Sequence, residues 1–191
     1  MTTSPEATAG FGARARGFTL LEVMVSVVIT AIGLLGIAKI HALAYSSTAT
    51  AGARSLVALQ AAGLASSMHA NRTYWAAGTA PVPIIITGTS INDATLNGAA
   101  AATGYCVFGV GPTPCTPDLM AAFDLHTYAA ALNGALGNSN PVTTITCPVA
   151  IPVNCTIQVT WNEKAVSINQ QSAASTAQAT FAPTYMLYVE P

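Results

Sequence analysis

Charge is what this sequence has least of. Only 7% of its 191 residues are Asp, Glu, Lys or Arg, against about a quarter in ordinary soluble domains. Either the surface is built from Ser, Thr, Asn and Ala, or part of the chain leaves water. The six basic and seven acidic side chains leave a formal net charge of −1. No stretch concentrates Lys or Arg into the footprint that nucleic acid demands, so direct nucleic-acid binding is not expected. Catalytic signatures are missing as well. There is no Gly-x-Ser-x-Gly elbow and no His-Glu-x-x-His, and Gly109-Val110-Gly111 runs into Pro112 and Pro114 where a phosphate loop would need a helix. His41, His69 and His126 lie far apart, and Asp93, Asp118, Asp124 and Glu163 are scattered. No metal, no cofactor and no enzymatic activity are expected.

Cysteine is absent before Cys106, and then Cys106, Cys115, Cys147 and Cys155 follow in two close pairs. The spacings are too long for Cys-x₂₋₄-Cys zinc knuckles, and an even number of cysteines fits an oxidising compartment. Four cysteines allow three connectivities. Local closure, Cys106 with Cys115 and Cys147 with Cys155, is the simplest of them.

Proline is absent from Phe18 to Asn71. What stands there instead is a near-continuous apolar run from Phe18 to Ile40, broken by Glu22 and Lys39. As a helix it reaches roughly 33 Å at about 1.5 Å per residue, enough for a hydrocarbon core of about 30 Å. A secretory signal would place an Ala-x-Ala-like cut after such a run, whereas here the basic pair Arg14 and Arg16 and the small Gly17 precede it. The apolar segment is therefore expected to be retained, with Arg14 and Arg16 holding the amino end cytoplasmic and Lys39 snorkelling at the far interface. Beyond it Val57, Ala61, Leu64 and Met68 recur at helical spacing. This predicts that the helix continues to about Asn71 and lays that stripe on the remainder of the chain.

The junction Arg16-Gly17-Phe18-Thr19-Leu20-Leu21-Glu22-Val23 resembles the processing site of type IV prepilins. The resemblance implies that a membrane prepilin peptidase cuts between Gly17 and Phe18 and methylates the new amino group, leaving residues 1–17 as a leader. It also implies that Glu22, a carboxylate costing about 2.5–3.5 kcal/mol at a helix centre in a bilayer, meets the Phe18 amine of its own or a neighbouring subunit during assembly. The segment Phe18 to Ile37, including Ile32-Gly33-Leu34-Leu35-Gly36-Ile37, is similar to the start of pilus-modification proteins of the PilV group. So are Ala65 to Arg72, with His69 where that group commonly has Arg, Phe123-Asp124-Leu125, and Ile157 to Trp161.

The second half predicts a small head. The Pro- and Gly-punctuated stretch 79–103 reads as a long irregular connection holding one strand, Ile84 to Thr87, and Tyr105 to Phe108 is a further apolar run. Thr116-Pro117 reads as N-cap and first turn of a helix over 117–136, with a stripe of Leu125, Tyr128, Leu132 and Leu136 and Gly137 as its C-cap. Val142 to Cys147, Cys155 to Trp161 and Thr184 to Val189 read as strands. The Ser-Ala-Thr-Gln stretch 171–180 reads as a polar loop or an outward strand edge, and Trp75, Trp161 and Tyr185 as packing residues.

The expected fold is α+β, a pilin fold: a leader over 1–17, a membrane helix over 18–40, its periplasmic continuation over 41–72, and an antiparallel sheet head over 73–191. The resemblance implies a minor pilin of the inner membrane. Its partners would be the prepilin peptidase and other minor and major pilins, and its effects on adhesion and twitching motility would follow from pilus biogenesis. A type II secretion pseudopilin shares the leader. A membrane-anchored periplasmic enzyme is the rival of another class and would need the clustered acids and bases that are missing.

Overall fold

An uninterrupted run without proline lets one helix, α1, extend from Leu20 to Ala70. The computed structural model describes residues 17–98, 106, 115–164 and 180–191, and its contacts divide the chain into two units, Met1–Ala42 and Leu43–Pro191. In the first unit the described residues are the amino-terminal part of α1 with Gly17, Phe18 and Thr19 before it, and every one of them up to Ala42 is exposed.

The second unit holds the rest of α1 and the head. After α1 come a short helix α2 (Arg72–Trp75), strands β1 (Ile84–Thr87) and β2 (Ser90–Ile91), and a one-turn helix α3 (Ala94–Gly98). Helix α4 (Pro117–Leu136) is followed by a 3₁₀ turn, Gly137–Ser139. Strands β3 (Val142–Thr146), β4 (Cys155–Thr160), β5 (Glu163–Lys164), β6 (Thr180–Phe181) and β7 (Thr184–Val189) complete the order. Five of them form one sheet in the order β2-β1-β3-β4-β7, antiparallel throughout, while β5 and β6 pair separately. The architecture is α+β and pilin-like, a long helix followed by a small antiparallel sheet.

Alternation along the strands decides the core. Ile84, Ile86, Ile145, Ile157, Val159 and Val189 point to one buried side, and period-two alternation sends their neighbours to the other. The buried side is met by Val57, Ala61, Leu64 and Met68 of α1 and by Leu125, Tyr128, Leu132 and Leu136 of α4, the same two stripes that helical spacing predicts. One inward position is polar. Thr143, 1% exposed, has its hydroxyl 2.9 Å from that of Tyr128, which removes the penalty of a lone buried hydroxyl. Trp75 and Trp161 are buried and Tyr185 packs against the core.

The stretch after α2 holds more than the single strand expected. Asn92 supplies the difference: its side chain accepts from Ile85 N–H at 2.7 Å and donates to Pro83 C=O at 3.1 Å, folding β2 back on β1. Asp93 then accepts from the N–H groups of Thr95 and Leu96 and starts α3. Thr116 occupies the N-cap position of α4 but its side chain makes no capping bond. Gly137 closes α4 at φ 54°, the left-handed region that disfavours a side chain. Tyr105, Val107 and Phe108 and residues 171–179 lie outside the described residues.

Both cysteine pairs are closed locally. Cys106 bonds Cys115 at a Cα separation of 5.1 Å, and Cys147 bonds Cys155 at 4.2 Å across the link between β3 and β4.

Because Leu64 is 2% exposed in the core, Leu64→Ala should destabilise the head by about 2–5 kcal/mol. Leu59→Ala, on the 65% exposed side of the same helix, should change stability by no more than about 0.5 kcal/mol. Denaturant titration of the detergent-solubilised chain compares the two.

Candidate functional site at the amino-terminal helix

Thr19 decides where α1 begins. Its carbonyl accepts from the N–H groups of Glu22 at 3.1 Å and Val23 at 3.2 Å, and its hydroxyl accepts from Glu22 N–H at 3.3 Å. Thr19-Leu20-Leu21-Glu22 thus forms half of a capping box, and Glu22 sits in the first turn, where a carboxylate favours the helix dipole. The Thr-x-x-Glu spacing carried that signal, which reasoning from membrane burial alone overlooks.

Gly17 and Phe18 precede the helix. A Cβ built on Gly17 meets nothing within 4 Å, and its backbone is not in the left-handed region. The fold of the described residues therefore does not demand glycine there. Phe18 is 80% and Leu20 85% exposed, and no large apolar side chain from Leu21 to Ile40 is buried. Uncovered apolar surface on that scale is not tolerated in water. By length and composition α1 is the one helix among the described residues able to cross a membrane. Within it Ser26 and Thr30 return their hydroxyls to carbonyls three or four residues back, which removes their need for outside partners. Arg14 and Arg16 lie outside the described residues.

In the head several ionisable groups serve the fold. Glu163 receives both Arg54 Nε at 3.0 Å and a terminal guanidinium nitrogen at 2.8 Å, and also the Trp161 indole N–H at 3.0 Å. These bonds hold the Glu163 carboxyl below its ordinary range, the Arg54 contact being the main cause. His126 Nε2 lies 3.3 Å from the Leu96 carbonyl, joining α4 to α3. The Asn71 amide donates to Pro117 C=O at 2.6 Å, tying the end of α1 to the start of α4. Burial pushes the hydroxyls of Tyr74 and Tyr128 up to about 12. Asp124 sits half-buried beside two shallow grooves lined by Ser67, and desolvation raises its pKa. Among the described residues no second carboxylate and no His, Lys or Arg lines either groove. Among the described residues no three His, Cys, Asp or Glu side chains come together.

Comparison with protein families matches residues 12–38 to the prokaryotic N-terminal methylation motif. The match indicates a type IV pilin-like protein, of the pilin or pseudopilin kind. Proteins carrying this motif are typically structural, are processed by a prepilin peptidase and assemble with other pilins. With the apolar amino-terminal helix, the match fits a membrane-anchored pilin. No curated protein and no solved structure matches the chain.

Glu163→Gln tests the tie between α1 and β5. A carboxylate whose folded pKa is depressed stabilises the fold above its unfolded pKa of about 4.3 and loses that contribution as pH falls through the folded value. The variant should melt below the wild type near pH 7, and the gap should close as the pH is lowered past that range, as read by thermal denaturation followed through Trp fluorescence.

Proposed function

We propose that this chain is a minor pilin of the PilV group. The prepilin peptidase cuts it between Gly17 and Phe18 and methylates the new amino group. Residues 1–17 are the leader, with Arg14 and Arg16 holding the amino end cytoplasmic; 18–40 span the inner membrane; 41–72 continue the helix into the periplasm; 73–191 form the head. The subunit joins other minor and major pilins in priming or tipping a type IV pilus, and adhesion and twitching motility depend on it through pilus biogenesis.

The observation that carries this reading is the methylation motif over residues 12–38, which takes in the first part of α1, where the large apolar side chains up to Ile40 are uncovered. Gly17 supports it too. Nothing among the described residues requires a glycine there, and a protease cleft that needs an unhindered extended backbone gives a reason for one. Glu22 follows the same logic. A carboxylate near the start of a membrane helix is stabilised by a cationic partner, and cleavage at Gly17 creates one at Phe18. A type II secretion pseudopilin would use the same helix chemistry in another machine. Deletion separates the two, blocking pilus formation in one case and exoprotein release in the other.

Mass spectrometry of the isolated protein should find a methylated Phe18 at the amino terminus. Recovery of chains that keep residues 1–17 from cells making working fibres would overturn the reading. Glu22→Ala should insert and be cleaved normally, yet enter fibres about tenfold less or worse, the equivalent of about 1.4 kcal/mol of lost pairing. Immunoblots of sheared fibres against membranes measure that ratio.

A further inference from the structure

The two edges of the head's sheet are treated differently. At one edge β2 has only two residues, and Ile91 N–H, which points away from β1, is taken up by Asn97 Oδ1 at 3.1 Å. Next to it the Asn92 side chain satisfies Ile85 N–H and Pro83 C=O. That edge is closed by side-chain amides. At the other edge lies β7, paired with β4 in unbroken register from Thr184 opposite Thr160 to Val189 opposite Cys155.

The hydrogen-bond phase of β7 follows from one contact. Trp161 N–H donates to Pro183 C=O at 3.4 Å, and antiparallel ladders alternate bonded and non-bonded pairs. Tyr185, Leu187 and Val189 therefore turn their main-chain groups to β4, and Thr184, Met186 and Tyr188 turn theirs away. No partner for those outward groups is found among the described residues. Exposed strand edges are ordinarily guarded by a Lys, a proline, a bulge or a covering element. Strand β7 contains no Lys or Pro and no break in register, and Met186 and Tyr188 are 49% and 75% exposed.

We infer that the outward edge of β7 is an acceptor for an extended strand from a neighbouring subunit, which continues the sheet by pairing with Thr184, Met186 and Tyr188. Backbone N–H and C=O groups spaced two residues apart along an edge are matched by another extended backbone, which supplies affinity while side-chain neighbours supply selectivity. Those neighbours define the partner's chemistry. On the same face Thr156, Gln158 and Thr160 stand opposite Tyr188, Met186 and Thr184, so the paired stretch itself offers no charge, and the exposed Glu190 comes only after it. The incoming strand presents uncharged, partly apolar side chains there. This inference rests on the assembly reading, because the partner is taken from the same fibre.

Residue-resolved hydrogen exchange on the full chain, isolated in detergent and then incorporated in fibres, tests it. Tyr185 and Leu187 amides should be protected in both states. The amides of Thr184, Met186 and Tyr188 should exchange freely in detergent and slow by about tenfold or more in fibres. Met186→Pro removes one outward N–H and leaves the β4 ladder intact, as proline on an edge strand does. Met186→Lys keeps every N–H but places a charge at the edge. Each variant should reach wild-type levels in the membrane and enter fibres at least about tenfold less; if Met186→Pro does not accumulate, Met186→Lys decides. Wild-type chain present in fibres with those three amides still exchanging as in detergent overturns the inference alone. Normal entry of both variants into fibres does the same, whereas absence of the wild-type chain from fibres overturns the assembly reading together with it.

Discussion

A five-stranded sheet with a two-residue strand at one margin cannot shield its own apolar side from water, and the head exists because helices shield it instead. The interaction on which the rest depends is the seating of Val57, Ala61, Leu64 and Met68 against Ile84, Ile86, Ile145, Ile157 and Val159 in one core. Ala61, fully buried, keeps the helix side of that core small at its centre. The polar ties are secondary and sit around the margins: Asn71 to Pro117, Arg54 to Glu163, Tyr128 to Thr143. Each fixes an angle or a register where apolar packing is non-directional.

One consequence is a division of labour along α1. From Leu43 onward its burial is periodic, and the helix contributes one stripe to a core. Before Ala42 there is no stripe, since large apolar residues stand on all sides and all are exposed. A helix hydrophobic all round belongs in lipid or among other helices. In lipid the hydrophobic effect no longer drives helix to helix, so lateral association there relies on close packing and on polar pairing. Glu22 is the one acidic side chain available for such pairing in that stretch, while its backbone N–H is occupied in capping the helix through Thr19.

Much of this was legible in the residues because the signals were periodic or terminal. The stripes of α1 and α4 follow from spacing alone, as do β1, β3, β4 and β7 from β-branched runs between turn residues. The Gly17-to-Glu22 motif is legible because its chemistry is local. What spacing did not reveal were features made by single polar side chains. Strand β2 and helix α3 depend on Asn92 and Asp93, whose amide and carboxylate substitute for backbone partners, and a stretch of Gly, Pro, Thr and Asn carries no periodicity to announce that. The Tyr128–Thr143 and Arg54–Glu163 contacts join residues brought together only by the tertiary fold. Thr116 and Pro117 stand at the N-cap and first turn as their types predict, although the Thr116 hydroxyl makes no capping bond.

The charge economy of the head bears on how such a protein meets its partners. Glu163 is committed to Arg54 and Trp161, and Asp93 to the start of α3. Asp118 lies in the first turn of α4, where the dipole favours it. With so few charges and these assigned to the fold, long-range electrostatic steering has little to act on. Recognition then falls to short-range features, namely apolar helix surface and the main-chain groups along the outer edge of β7, unpaired among the described residues. Both act only after surfaces are already close and aligned. Subunits held in one membrane with their helices in a common orientation meet that condition before any contact forms, because the bilayer removes most of the orientational freedom that association in solution must overcome. A head poor in charge is therefore suited to assembly from a membrane and poorly suited to capturing partners from bulk water.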